Sequence, residues 1–374
     1  MLSPLFLRRM DFRMIFVILA LMGVSLFVIS ANSGAEEGDS FFTPAVIHQI
    51  EAYVIGWGVF FVFVVLDYNK LREWTWVLYG LMILSLVGLF FTDSVQRVHR
   101  WYKIPFIGFS FQPSEFAKLI VVIALSWFLE RNKAHAASIK TVLKACIIVG
   151  IPFLLILKQP DLGTALVLYP ITLVMFYFGG FNKTFIRLMA GGGALMIFLV
   201  ALIFLKIVPH EELRPTATLF LKDYQFDRLD PDTHHQKAAQ IAIGVGGLAG
   251  TGFRKSEFTG GGWLPAPYTD SVFPAFGEEF GLLGLLFLLS LFYMLLYLSF
   301  QAALVAKDQF GSLLAAGVTV YLAMHIIVNI GMMTGFLPIT GVPLVLVTYG
   351  GSSVFSTMMA LGILQSIYVR RFMF

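Results

Sequence analysis

Residues 281–305 read GLLGLLFLLSLFYMLLYLSFQAALV, with no Asp, Glu, Lys or Arg in the whole run. A hydrocarbon core is crossed by about 20 apolar residues of helix, and this stretch is long enough to do so. Comparable blocks occupy 14–31, 50–66, 75–92, 114–129, 142–157, 162–178, 188–207, 311–333 and 344–369, so about ten spanning helices are expected. The alternating pattern of a barrel strand is missing, which leaves helices as the spanning structure able to satisfy its own backbone in lipid. Composition agrees: 58% of the 374 residues are hydrophobic and 13% charged, and Phe alone occurs 38 times. A soluble domain carries about 25% charged residues. The expected fold class is therefore an all-α integral membrane protein, one bundle over 1–374.

Charge placement says more than the net charge of +4. With the N-terminus in the cytoplasm, the inner tails and short loops hold Arg8, Arg9, Arg13, Lys70, Arg72, Arg131, Lys133, Lys140, Lys144, Lys183, Arg187, Lys307, Arg370 and Arg371. The short outer loops hold Arg97, Arg100, Lys103 and Lys158. The positive-inside rule then predicts both termini in the cytoplasm. It also puts the long polar segment of about 206–280, between spans seven and eight, outside. The first span follows a charged tail but no small-residue cleavage site, so it reads as a retained helix rather than a signal peptide. Cys146, the single cysteine, lies in the fifth span and reads as a small hydrophobe that forms no intrachain disulfide.

Several chemistries are set aside. No G-x-x-x-x-G-K-[ST] loop occurs, so nucleotide hydrolysis is not expected. Gly244-Val-Gly246-Gly-Leu-Ala249 matches a relaxed dinucleotide fingerprint but lacks the βαβ context that gives it meaning. Asp230-Pro-Asp232 reads as a solvated acidic turn and His234-His235 as an exposed polar stretch. Ionisable groups in or beside spans weigh more, because each is costly in lipid unless paired or hydrated. Glu115 and Lys118 share one helix face at the start of the fourth span. Their plain structural reading is Ser114 as cap, Glu115 on the positive helix end and Lys118 as its neutraliser. Asp161 is equally placed to cap the sixth span. Asp270 differs, being a loop carboxylate close to the membrane surface, where it could act as a general base or merely cap the loop.

Together these segments resemble the SEDS family of membrane peptidoglycan polymerases (RodA, FtsW, SpoVE) over nearly the whole chain. The resemblance rests on Arg100-Trp101 with Gln112-Pro-Ser114-Glu115-Phe-Ala-Lys118; Gln159-Pro-Asp161-Leu-Gly-Thr164; Gln240-Ile-Ala-Ile-Gly244; Thr269-Asp270 with Glu278-Glu279; and Asn329 through Pro343 with Tyr349-Gly-Gly-Ser352-Ser353. The chain departs where the family usually has His-Thr-Asp-Phe and this sequence has Tyr268-Thr-Asp270-Ser271. The short tails look most like RodA. The resemblance implies a glycosyltransferase that polymerises lipid II outside the bacterial cytoplasmic membrane and releases undecaprenyl diphosphate. It implies Asp270 as base, and Arg100, Trp101, Gln112, Ser114, Glu115, Lys118, Lys158, Asp161, Gln240, Thr269, Ser352 and Ser353 as substrate-binding. The departing diphosphate needs charge stabilisation, from Arg100, Lys118 and Lys158 or from a divalent cation such as Mg²⁺ or Mn²⁺. No nucleotide cofactor and no nucleic acid are expected. The implied partners are a class B penicillin-binding protein and other membrane proteins of the elongation complex. The alternatives are a lipid II flippase using Glu115, Lys118 and Asp161 as a polar path, a non-enzymatic scaffold, or the division-type paralogue.

Overall fold

The computed structural model describes residues 9–33, 40–91, 100–103, 110–159, 161–218 and 223–372; Arg8, Arg97 and Pro160 lie outside them, as does the Lys103 side chain. Ten long helices match the ten expected spans: α1 (Phe12–Ser33), α2 (Pro44–Val65), α3 (Tyr68–Gly88), α4 (Pro113–Arg131), α5 (Ile139–Lys158), α6 (Leu162–Phe178) and α7 (Lys183–Phe204), then, after the loop helices α8 (His210–Ala217) and α9 (His234–Gly246), α10 (Val272–Leu304), α11 (Gln309–Met333) and α12 (Gly351–Val369). Eight of these are long and apolar enough to cross a membrane by themselves. The two others are α4, which carries Glu115 and Lys118, and the shorter α6, capped by Asp161. Those two helices and their caps carry Gln112, Ser114, Glu115, Lys118 and Asp161 of the residues singled out above. Cys146 is half-buried rather than fully enclosed.

Helix starts are written locally. Thr43 Oγ1 accepts from the Val46 amide ahead of Pro44, Asp67 from Asn69, and Asp308 from Gly311, each satisfying an otherwise orphaned donor. Of those eight apolar spans, α11 and α12 are the most enclosed, with α12 packed along α2 and α11 against α4, α6 and α10. α7 buries only Ile203 and lies at the periphery. Between α3 and α4 a two-residue ladder pairs Tyr102 with Phe111 and Lys103 with Ser110.

Both described ends of the chain meet at one face, here the terminal face. Arg371 donates to the Arg9 carbonyl at 3.1 Å, and Gln365 receives the Asp11 amide at 3.1 Å. Arg72 there bridges Glu130 and Asp308 at 3.0 and 3.2 Å. The long loop packs at the other end, the loop face, where Arg254 reaches the Ser30 hydroxyl at 2.9 Å.

Two predicted boundaries are corrected. A helical segment already begins at Val272, so the loop ends at 271 and Glu278 and Glu279 lie inside that segment, both buried, while the apolar span expected from 281 follows the break at Gly281. The last span begins at Gly351 rather than 344, because the apolar run Leu344–Val347 is buried without being helical. Apolarity reports burial, and either a helix or a compact turn can satisfy it.

α10 breaks at Gly281, whose φ of 63° and ψ of −165° are accessible to little but glycine. The freed backbone groups are re-satisfied from the loop. Leu282 and Leu283 donate to the carbonyls of Gly247 and Leu248, while Thr251 and Gly252 donate to those of Glu278 and Glu279. This explains the glycine run after Gln240: a Cβ on Gly246 would sit 2.0 Å from the Gly277 carbonyl oxygen. Gly246 and Gly250 thus permit close backbone contact with residues 277–280. Gly281→Ala adds a Cβ 2.4 Å from the Gly250 nitrogen. That substitution should cost at least about 1–3 kcal/mol for the backbone alone and sharply reduce the monodisperse fraction recovered in detergent; recovery equal to wild type would contradict this account of the break.

Candidate active site

Residues 334–350, between α11 and α12, are not helical, although 342 and 344–348 are buried. Backbone of this kind survives at membrane depth only when protein groups satisfy it. Here polar side chains do so from several helices. Asn329 of α11 donates to the Val342 carbonyl at 2.8 Å, and Tyr53 of α2 donates to that of Leu346 at 2.7 Å. His325 Nδ1 lies 3.1 Å from the Pro343 carbonyl, which can only accept. Nδ1 therefore carries the proton, and Nε2 accepts from the Lys118 ammonium at 2.7 Å. Lys118 in turn binds Glu115 at 2.8 Å. Lys118 is fully buried, so the sequence expectation that it meets a diphosphate directly does not match its position. It holds the broken segment through His325.

Asp270 lies at the loop face beside this segment. Its backbone carbonyl accepts from Asn329 at 3.1 Å. Gly341 (φ 73°) leaves room for its carboxylate, since a Cβ there would come 3.5 Å from Oδ2. Thr348 donates to the Thr269 carbonyl at 3.1 Å and Tyr349 to that of Tyr268 at 2.9 Å, so the turn carrying Asp270 is pinned on both sides. Tyr268 stands edge-on to Tyr349, with ring centroids 5.6 Å apart. The imidazole near Asp270 comes from elsewhere: His235 of α9 hydrogen-bonds Ser271 through Nε2 at 2.6 Å. His235 is half-buried, which corrects its reading as part of an exposed stretch. Burial pushes the Asp270 carboxyl above the usual range, opposed by His235 and Arg228. Burial likewise lowers the His235 imidazole, partly offset by Asp270. Arg228 is held over the segment by a 3.4 Å contact to the Thr340 carbonyl.

The α4 and α6 starts form a second polar cluster. Asp161 caps α6 through the Thr164 amide, and its other oxygen accepts from Ser114 at 2.9 Å and from Gln112 at 3.1 Å. The Gln112 amide donates to Ser352 at 3.0 Å, bringing the start of α12 into the same cluster. Arg100 donates to the Gln159 carbonyl at 3.0 Å. The two clusters meet across residues 340–342: a Cβ on Gly163 would lie 2.7 Å from the Thr340 oxygen. Close approach there is what requires glycine after Asp161-Leu162.

Other expected residues fall outside this core. Gln240 is exposed and reaches the Thr334 carbonyl at 3.3 Å, Lys158 is exposed at the end of α5, and Trp101 is half-buried. Ser353 caps locally onto the Gly350 carbonyl. Glu278 receives the Phe258 and Thr259 amides and so anchors the loop. Asp232 pairs with Lys206 and Lys237, in keeping with a solvated turn. Among the described residues no three His, Cys, Asp or Glu side chains converge as metal ligands. Asp270 with Ser271 and His235 does not by itself make a resident metal cage.

Sequence reading gave no site role to His325, Asn329, Arg228 or His235. A signal for two of them existed. Tyr321, His325 and Asn329 recur every fourth residue on one face of an apolar helix, where a polar stripe demands a buried partner.

A broken-helix bundle with a loop carboxylate over its break and a buried ion pair beneath defines a polytopic membrane protein built around a polar site at one face. The family model of the FtsW, RodA and SpoVE cell cycle proteins matches residues 11–372, and the chain belongs to that family. It is 31% identical to the peptidoglycan glycosyltransferase MrdB of Escherichia coli K12, over 97% of this chain and 94% of that one. It is also 31% identical to the probable peptidoglycan glycosyltransferase FtsW of Bacillus subtilis 168, over 96% and 91% respectively. Two solved structures share the fold at 24% identity. One is a chain from a peptidoglycan synthase complex coordinating polymerization and crosslinking (TM-score 0.75, 98% and 99% covered). The other is the rod shape determining protein RodA of Thermus thermophilus (TM-score 0.70, 98% and 98% covered).

Proposed function

We propose that this protein is a peptidoglycan glycosyltransferase that polymerises lipid II, with Asp270 as the general base. The observation carrying the reading is the half-buried Asp270 carboxylate beside Gly341, on a turn that Asn329 holds through the residue 270 carbonyl, with Arg228 and His235 as its charged neighbours. A sugar hydroxyl is a weak nucleophile, and a carboxylate poised above its ordinary pKa takes the proton more readily as the new glycosidic bond forms. The bond from the anomeric carbon to the diphosphate breaks, and undecaprenyl diphosphate leaves with its electron pair. Arg228 and Arg100 are the cations on hand for that charge. The lipid tail would lie along the bundle beside the broken segment while the loop holds the sugars. In this reading the loop face is extracytoplasmic and both termini are cytoplasmic in a bacterial inner membrane. The partner is a class B penicillin-binding protein within an elongation-type complex, a pairing supported by the coordination of polymerization and crosslinking in the structural relative. MrdB and FtsW names occur among relatives of equal identity, so a role in elongation rather than division is part of the proposal.

The test is polymerisation of purified lipid II by the reconstituted protein with its cognate penicillin-binding protein, the partner's catalytic serine mutated. Long glycan strands are expected. Lipid II translocation without glycan would move the assignment to a flippase, a reading that gives Asp270 no special part.

The pH profile gives a second check. Asp270 works as a base only when ionised, so the rate should fall as pH drops through its raised pKa. Arg228 lowers that pKa, and Arg228→Gln should move the acid limb to higher pH. A limb that stays put, or moves lower, would remove Asp270 as the titrating base.

A further inference from the structure

A pocket of about 460 Å³ opens between α3, α4 and α5, close to the terminal face and apart from the clusters above. Its lining is graded along the helix axes. At one end stand Arg131 and Asn132, closing α4, with Lys144 in the second turn of α5. At the other lie Phe128, Ile147 and Ile151, the last two 59% and 44% exposed. On α5 the order Lys144, Ile147, Ile151 runs down one face, cation first. Trp76 and Trp127 stand edge-to-face in the wall, with centroids 5.2 Å apart, and Arg131 lies 5.2 Å over the Trp127 ring. Tyr79 ties α3 to α5 by donating to the Ile148 carbonyl at 2.8 Å. The gradient thus sits on a braced frame.

The charge is one-sided. Residues 131–158 contain Arg131, Lys133, Lys140, Lys144 and Lys158 and no Asp or Glu. Among the described residues none of the first four joins an ion pair. Loop cations alone would follow from the positive-inside trend. That trend does not require a braced aromatic pocket whose floor turns from cationic to aliphatic. Such a gradient complements an amphiphile with an anionic head and an acyl chain, and indole rings favour the level between the two.

We propose that this pocket is a binding site for an anionic phospholipid, its phosphate between Arg131 and Lys144 and its acyl chain along Ile147 and Ile151. The gradient is internal to the pocket, so the assignment holds independently of the glycosyltransferase reading. Two cations at a charged headgroup predict a preference of roughly 5–30-fold over a zwitterionic lipid.

The test uses quenching of tryptophan fluorescence by brominated lipids in vesicles holding the full chain. Brominated phosphatidylglycerol is compared with brominated phosphatidylcholine, and Trp76→Phe/Trp127→Phe defines the background from the other tryptophans. Quenching at Trp76 and Trp127 should favour phosphatidylglycerol by the stated factor, and Arg131→Gln/Lys144→Gln should abolish the preference. Lys144→Arg should retain it, separating charge from folding. Equal quenching by both lipids, or a preference untouched by the double glutamine variant, would overturn the proposal. So would displacement of the lipid by millimolar inorganic phosphate, which would mark a site for a soluble phosphate instead.

Discussion

Asp270→Asn should leave a folded protein, still bound to its penicillin-binding partner, whose glycan polymerisation is slower by roughly 10²–10⁴-fold. Asparagine keeps the shape of the side chain and loses only the ability to accept a proton. The carbonyl of residue 270 still receives Asn329, and the turn remains pinned by Thr348 and Tyr349. Stability should be unchanged or slightly higher. Burial raises the Asp270 pKa in the folded state, so the native form binds its proton more tightly than the unfolded chain. Stability therefore falls as pH rises through the window between the unfolded and folded pKa values, and a neutral amide avoids that loss. The measurement pairs polymerisation kinetics with thermal unfolding. Equal rates for both proteins would exclude Asp270 as the base, and a large drop in unfolding temperature would mean that the loss of activity reported folding.

The second large effect concerns the buried pair. Lys118→Met should destabilise the bundle by about 3–5 kcal/mol, the usual cost of stranding one member of a buried ion pair. The geometry makes that cost plain. Lys118 is fully buried and Glu115 nearly so; Lys118 holds Glu115 Oε1, while Oε2 has no hydrogen bond among the described residues. Removing the ammonium leaves a carboxylate in the core and also takes the donor from His325 Nε2. The double variant Glu115→Leu/Lys118→Met should recover most of the unfolding temperature, since apolar replacements of buried pairs are often tolerated. It should not recover full polymerisation, because His325 no longer has Lys118 to hold it under the Pro343 carbonyl and the segment carrying Gly341 loses that support. Full activity in a stable double variant would show that the pair serves packing alone.

Most of the fold was legible in the chain. Uninterrupted apolar runs such as 281–305 have one outcome in lipid, because a helix satisfies its own backbone. The ten helices follow from that constraint, and caps such as Thr43, Asp67 and Asp161 from residue type at their starts. Asp270 was also legible, as a carboxylate in a polar loop beside a span. The order Lys144, Ile147, Ile151 could be read too, though its meaning depended on Trp76 and Trp127 arriving from other helices.

The sequence by itself determined the membrane class, the ten long helices, the family resemblance and the residues worth watching. Tertiary structure decided what those residues do to one another. Periodicity cannot distinguish a buried helix from a buried turn, so Leu344–Val347 could become a non-helical segment only once Asn329, His325 and Tyr53 supplied its hydrogen bonds. Nor does local order say that His235 approaches Asp270 or that Lys118 is shut inside the bundle. Those contacts join residues far apart in the chain, and only the packing of the helices brings them within hydrogen-bonding reach.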